Sequence, residues 1–126
     1  MSLYREKIID HYNNPRNSGE IKSADCTSHV DNPLCGDIVA VSMKLDHNTI
    51  TDIKFDAEGC AISIAALSML SEKVKGSDTK EVEKITLTDI KKMLGIELGP
   101  TRLKCAEMGL IGIKKCLHTN KNSKKK

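Results

Sequence analysis

The chain has 126 residues, about enough for one domain with its own core. Hydrophobic residues make up 39% of it and aromatic residues only 2%, so we expect an aliphatic core and no aromatic platform on which nucleic-acid bases could stack. The formal net charge is +3, but four lysines fall within residues 121–126, and the remainder is close to neutral. We therefore predict one domain over residues 1–118, a basic, disordered tail over residues 119–126, and no nucleic-acid partner.

Neither a targeting segment nor a membrane partner is expected. Arg5, Glu6 and Lys7 precede any apolar stretch, and two serines interrupt the longest apolar-rich run, residues 61–70. We expect a cytoplasmic protein, in which the five cysteines stay reduced. Clustering among them would then indicate metal or sulfur chemistry rather than disulfides.

The first predicted element is a short helix over residues 3–12. Its apolar side chains are expected near one face: Leu3, Ile8, Ile9 and Tyr12. The polar cluster at residues 13–19, which contains a proline and a glycine, is expected to end the helix in a turn.

Alternation with a period of two predicts three strands between residues 21 and 55. The first two runs alternate polar residues with these small or apolar ones: Ala24, Cys26 and Ser28, then Val39, Val41, Met43 and Leu45. Turn formers at residues 46–48 precede a third run at residues 49–55, so the second and third strands should form a hairpin. Three consecutive strands predict an antiparallel meander.

Helical spacing begins after Gly59 and Cys60. Apolar residues then recur at Ile62, Ala65, Ala66, Met69 and Leu70, and Gly76 is positioned to stop the helix. Cys60 is therefore predicted to open a helix.

Three more helices are predicted in the remainder of the chain. Their starts are assigned to Ser77 or Asp78, to Thr88, and to residues 99–101. The first runs to about residue 85, the second ends at Leu94 before Gly95, and the last holds Cys105 near its start. Strands followed by helices predict an α+β domain, in which helices pack on one face of a three-stranded antiparallel sheet.

Three cysteines lie at the ends of predicted elements. Cys35 is on a turn before the second strand, Cys60 is at a strand-to-helix junction, and Cys105 is near the start of the last helix. A thiol at a helix N-terminus feels the positive end of the helix dipole, which favours the thiolate that binds metal or attacks sulfur. Cys60 is the clearest case.

The other two cysteines are predicted to be buried small residues. Cys26 alternates with polar residues inside a strand, and Cys116 lies beside Leu117 on the last helix. A secondary role for either as a sulfur acceptor stays open.

Asp37 lies two residues after Cys35, close enough to contact whatever group Cys35 binds. Three thiolates and this carboxylate would complete a four-ligand set for tetrahedral zinc or for one face of a small iron–sulfur cluster. The chain has no CxxC pair, so the alternative of three unrelated buried thiols has equal weight on spacing alone. The four histidines are left out of the ligand set.

Beyond spacing, the chain resembles the NifU-like iron–sulfur cluster assembly scaffolds, also known as the IscU and SufU proteins, as far as about Leu117. The resemblance lies in four segments: DHYNNPRNSG near the N-terminus, NPLCGD around Cys35, GCAIS followed by ALSML after Gly59, and RLKCA around Cys105. These occur in the family's order and at similar separations.

The resemblance implies an α+β scaffold that accepts persulfide sulfur from a cysteine desulfurase, binds iron and forms a labile [2Fe–2S] cluster for transfer to apo-proteins. It also admits an iron or electron donor as a partner, and zinc as an alternative occupant of the site. Cys35, Cys60 and Cys105 match the family's three site cysteines, and each is both a metal ligand and a candidate sulfur acceptor. Asp37 matches the neighbouring aspartate. Because a carboxylate is a harder, weaker partner for such a centre than a thiolate, we hypothesise that Asp37 keeps the cluster transferable.

The chain has features of both the IscU and the SufU branch of the family. Lys104 stands where the IscU branch has a histidine before the third cysteine, and RLKCA is similar to the SufU branch. That branch usually carries an insertion between the second and third cysteines, for which this chain is too short. Two alternatives to the scaffold therefore stay open: a zinc-dependent sulfurtransferase, and a structural zinc domain that unfolds on metal removal.

Overall fold

The computed structural model describes residues 2–32 and 36–124, so the predicted turn cysteine, Cys35, lies outside the described residues. Three strands are present: β1 (Cys26–Asn32), β2 (Asp37–Asp46) and β3 (Thr49–Glu58). The described helices are α1 (Ser2–Asn13), α2 (Ala61–Val74), α3 (Thr79–Glu83), α4 (Leu87–Leu94) and α5 (Pro100–Lys124). The predicted α+β class is confirmed.

The sheet is the predicted antiparallel meander, in the order β1-β2-β3. Val39, Val41 and Met43 of β2 point one way and are buried under the helices. His47, in the two-residue turn to β3, has a φ of 57°. Positive φ at this position is typical of the tight hairpin turns whose twist matches that of the strands.

Two glycines let α5 lie close to its neighbours. A Cβ on Gly109 would stand 2.7 Å from Leu67 Cδ1 of α2, and one on Gly112 would stand 3.2 Å from Val41 Cγ2 of β2. The Gly112 carbonyl also accepts a 2.6 Å hydrogen bond from the Ser28 hydroxyl of β1. As a result α5 is held against both α2 and the sheet, and its first turns lie beside the start of α2.

The predicted apolar face of α1 is wrong in part. Ile8 is buried, but Leu3, Ile9 and Tyr12 are 80%, 51% and 43% exposed. The buried face instead includes His11, which periodicity of apolar residues could not select because histidine is polar.

His11 joins α1 to α2. Its Nδ1 lies 2.7 Å from the Ser68 hydroxyl oxygen, which also accepts a 2.9 Å hydrogen bond from the Arg16 backbone N–H. The other ring nitrogen, Nε2, lies 3.7 Å from the Glu72 carboxylate. Burial and the nearby Arg16 charge lower the pKa of His11 below 6.5.

Stability is expected to fall in mildly acidic solution because of His11. Its pKa is lower in the folded protein than in the unfolded chain, so the unfolded chain binds the proton more readily. The contribution of neutral His11 to the free energy of unfolding is fully present above pH 6.5. It is lost as the pH falls through the folded-state pKa of His11. Urea unfolding between about pH 5 and 7.5 measures it. His11→Gln should flatten this pH dependence, and His47→Gln, at an exposed turn, should preserve it; equal slopes in wild type and His11→Gln would contradict the assignment.

The remaining helices follow the predicted order with one corrected boundary. Asp78 caps α3, and Gly95 ends α4 with a φ of 68°. The N-cap of α4 is Thr86, not Thr88. Thr86 and Asp89 form a capping box: the Asp89 backbone N–H donates to the Thr86 hydroxyl oxygen, and the Asp89 carboxylate accepts from the Thr86 N–H. The last helix continues to Lys124. The boundary between the domain and a basic tail after residue 118 stays a prediction. Among the helices of the described ranges, none is long and apolar enough to cross a membrane.

Candidate metal centre

Three ligand-type side chains converge from three elements. Asp37 begins β2, Cys60 is the N-cap residue of α2, and Cys105 lies in the second turn of α5. One ligand atom from each, a carboxylate oxygen or a thiol sulfur, lies within 4.8 Å of the other two. Residues far apart in the chain therefore form one cluster.

Pairing in the sheet brings Asp37 to the site. The next residue, Ile38, pairs with Glu58 at the end of β3, so Asp37 lies beside the turn that leads into α2. Its side chain is 3% exposed and accepts a 2.5 Å hydrogen bond from the Ser63 hydroxyl. A buried carboxylate with such a bond is held in one orientation.

Cys60 is the exposed thiol of the cluster. Burial raises its pKa, but interactions with the Ser63 and Ile62 backbone N–H groups, with the Ser63 side chain and with Cys105 outweigh burial, so the pKa lies below 9.0. The helix N-terminus supplies these backbone donors because the first N–H groups of a helix have no partner within it. Cys60 thus lies at the start of a helix, as the sequence predicts.

Cys105 forms the inner wall of the cluster. Its side chain is 4% exposed, and its carbonyl oxygen lies 3.3 Å from the Ser63 hydroxyl. Lys104, the residue before it, is exposed. α5 therefore contributes a buried thiol, and α2 an accessible one.

The donor set fits zinc or iron. Two thiols supply soft ligands and Asp37 a harder one, and zinc and iron accept both kinds. Three such donors leave one position of a tetrahedral site to be filled. Cys35, two residues before Asp37 in the chain, stays the predicted fourth ligand.

Cys26 and Cys116 form a separate pair, away from this cluster. They are 5% and 0% exposed, in keeping with their predicted role as small core residues. A hydrogen bond between the two thiols, together with burial, raises the pKa of Cys116, and the same bond lowers that of Cys26. Neither is accessible to a partner's sulfur in this structure.

Gly59 and Ser63 are site residues that the sequence reasoning did not single out. A Cβ on Gly59 would stand 2.6 Å from Asp37 Oδ1, and the Ser63 hydroxyl contacts all three members of the cluster. One signal was available: Ser63 follows Cys60 by three positions at a helix start, so both face the same side.

Comparison with known proteins agrees with the sequence resemblance. The family model of the NifU-like N-terminal domain matches residues 3–126. The iron–sulfur cluster assembly scaffold protein IscU 1 of Archaeoglobus fulgidus is 37% identical over 124 residues, which cover 97% of this chain and 80% of that protein. The zinc-dependent sulfurtransferase SufU of Bacillus subtilis is 35% identical over 131 residues, covering 90% of this chain and 88% of that protein.

A solved structure shares the fold. The N-terminal part of a nitrogen-fixing NifU-like protein from Brucella abortus superposes with a TM-score of 0.78 at 18% identity, covering 95% of each chain. At that identity the likeness concerns the fold alone.

Proposed function

The chain belongs to the NifU-like N-terminal domain family, that of the IscU and SufU iron–sulfur cluster assembly proteins, and we propose that it is itself an assembly scaffold. In this role it accepts sulfur from a cysteine desulfurase, binds iron, and builds a labile [2Fe–2S] cluster that it passes to apo-proteins in a reducing cytoplasm. The observation that carries the proposal is the convergence of Asp37, Cys60 and Cys105 within 4.8 Å.

The ligand types suit a cluster that must be built and then released. Cys35, Cys60 and Cys105 would supply the soft thiolates that hold iron. Asp37 would supply a harder and more readily exchanged ligand, which keeps the cluster transferable. Zinc would occupy the same donors when iron is absent.

Sulfur is accepted by thiolate exchange. The Cys60 thiolate is suited to this step because it is exposed and its pKa is lowered, whereas Cys105 is buried. It attacks the terminal sulfur of the desulfurase persulfide, the S–S bond of that persulfide breaks, and the desulfurase cysteine leaves as a thiolate. Cys60 then carries the persulfide. Reduction of this sulfur to sulfide draws electrons from ferrous iron and from a separate electron donor.

The second candidate is a zinc-dependent sulfurtransferase, in which zinc stays bound and one cysteine takes up persulfide. The donor set fits zinc as well as iron, and the relative of that name matches at 35% identity over 90% of this chain. Here the protein would raise desulfurase turnover with zinc alone bound.

Anaerobic reconstitution with a cysteine desulfurase, cysteine, ferrous iron and a reductant tests the proposal. We expect the visible spectrum of a [2Fe–2S] cluster, with iron and sulfide in equal amounts, and its transfer to an apo-ferredoxin. Serine at Cys35, Cys60 or Cys105 should abolish the spectrum, and serine at Cys116 should leave it. An Asp37→Ala protein should transfer its cluster more slowly than wild type.

Other outcomes point to the alternatives. If no cluster forms but the zinc-loaded protein accelerates the desulfurase and acquires persulfide, the sulfurtransferase replaces the scaffold. If neither occurs and metal removal unfolds the chain, the centre is a structural zinc site.

A further inference from the structure

Ser63 occupies the middle of the candidate metal centre although it is not one of the expected ligands. It lies in the first turn of α2 and is 2% exposed. Its hydroxyl oxygen is 2.5 Å from Asp37 Oδ2, 3.6 Å from Cys60 Sγ and 3.3 Å from the Cys105 carbonyl oxygen. One side chain thus touches all three elements that build the site.

The single hydroxyl proton goes to Asp37. Hydrogen bonds between oxygens are usually about 2.5–3.0 Å long, so the Asp37 contact lies in that range and the Cys105 carbonyl lies beyond it. The main effect of Ser63 is therefore to orient the Asp37 carboxylate.

The Gly59 backbone lies directly against the same carboxylate. A Cβ at this position would stand 2.6 Å from Asp37 Oδ1 and 2.7 Å from its Cγ. Both atoms belong to a buried side chain that Ser63 already holds, so it could not move aside without losing that bond. The bare backbone of Gly59 is what allows the carboxylate to lie against the start of α2.

We propose that Ser63 and Gly59 form a cradle that positions the Asp37 carboxylate as the oxygen ligand and thereby sets how tightly the centre holds its metal. This inference rests on the proposed function, because it requires Asp37 to be a ligand. Ser63 is a positioning residue that acts through Asp37. Without the hydroxyl, the carboxylate would have to be ordered at the cost of binding free energy, and loss of such an outer partner typically weakens metal affinity about 10–100-fold.

Cobalt(II) binding tests the cradle, because its visible absorption reports both affinity and coordination geometry. Ser63→Ala is expected to weaken Co²⁺ binding about 10–100-fold and to shift its absorption bands toward those of Asp37→Ala. Gly59→Ala should do the same by displacing the carboxylate. Ser68→Ala removes another buried serine hydroxyl of α2, one that bonds His11 rather than the cluster, and should leave affinity and spectrum unchanged.

The decisive comparison is made in an Asp37→Ala background. If Ser63 and Gly59 act through Asp37, replacing either by alanine should have no further effect on Co²⁺ binding there. Wild-type affinity in Ser63→Ala, or an equal loss with and without Asp37, would overturn the cradle. Thermal melting of each metal-free variant separates these effects from failure to fold.

Failure of the proposed function gives a different result. If the wild-type protein binds neither Co²⁺ nor Zn²⁺, Asp37 is not a metal ligand, and both the metal centre and its control by the cradle are wrong. If the wild type binds metal and the variants do not differ from it, only the proposal that Ser63 and Gly59 control metal affinity is wrong.

Discussion

Replacing Cys105 by alanine is expected to abolish tight zinc binding, whereas the same change at Cys116 should leave it intact. Both cysteines are buried on α5, at 4% and 0% exposure, so the two substitutions remove the same sulfur atom from buried positions on one helix. Cys105 Sγ belongs to the cluster with Asp37 and Cys60, and Cys116 contacts Cys26 instead.

The expected loss at Cys105 is larger than the roughly 10–100-fold that removal of an outer partner costs, because a thiolate ligand itself is lost. Cys116→Ala should instead lower the free energy of unfolding of the metal-free protein, since it leaves a small cavity in the core. Zinc affinity can be measured by competition with a chromophoric chelator, and stability by urea unfolding. Equal zinc affinities of the two variants would contradict the placement of the metal centre.

Leu67→Ala is expected to be strongly destabilising, by about 2–5 kcal/mol. Leu67 is 0% exposed at the crossing of α2 and α5, where its side chain lies over Gly109. Removing it leaves a cavity that two helices fixed to a sheet cannot easily close. The melting temperature should fall by roughly 10–20 °C. Leu3→Ala, at an 80% exposed position, should change the unfolding free energy by about 0.5 kcal/mol or less.

A second substitution checks the mechanism. Gly109→Ala should destabilise the wild type, because its Cβ would stand 2.7 Å from Leu67 Cδ1. In the Leu67→Ala protein that atom is gone, so Gly109→Ala should cost less there. Additive effects of the two changes would show that the crossing is not packed as described. Leu67 and Gly109 each lie one helical turn beyond a site residue, Ser63 and Cys105, so this crossing also sets the spacing of the metal centre.

The order and type of the elements were predictable because their signals are local. Period-two alternation marked the strands, and the change to helical spacing after Cys60 marked α2. The errors fell where polar side chains, rather than the periodicity of apolar ones, decide the local structure. His11 is buried on α1, and Thr86 rather than Thr88 caps α4 because Asp89 completes its capping box.

The sequence by itself determined the α+β class, the family, and the residue types able to hold zinc or iron, since periodicity, motif order and side-chain chemistry can all be read along the chain. Only the tertiary structure decided that Asp37, Cys60 and Cys105 lie together, that Cys60 is exposed whereas Cys105 is buried, and that Cys26 and Cys116 pair elsewhere. It also showed that Gly59 and Ser63 hold the carboxylate. These facts depend on how α2, α5 and the sheet pack, and contacts between residues distant in sequence leave no periodic signal in the chain.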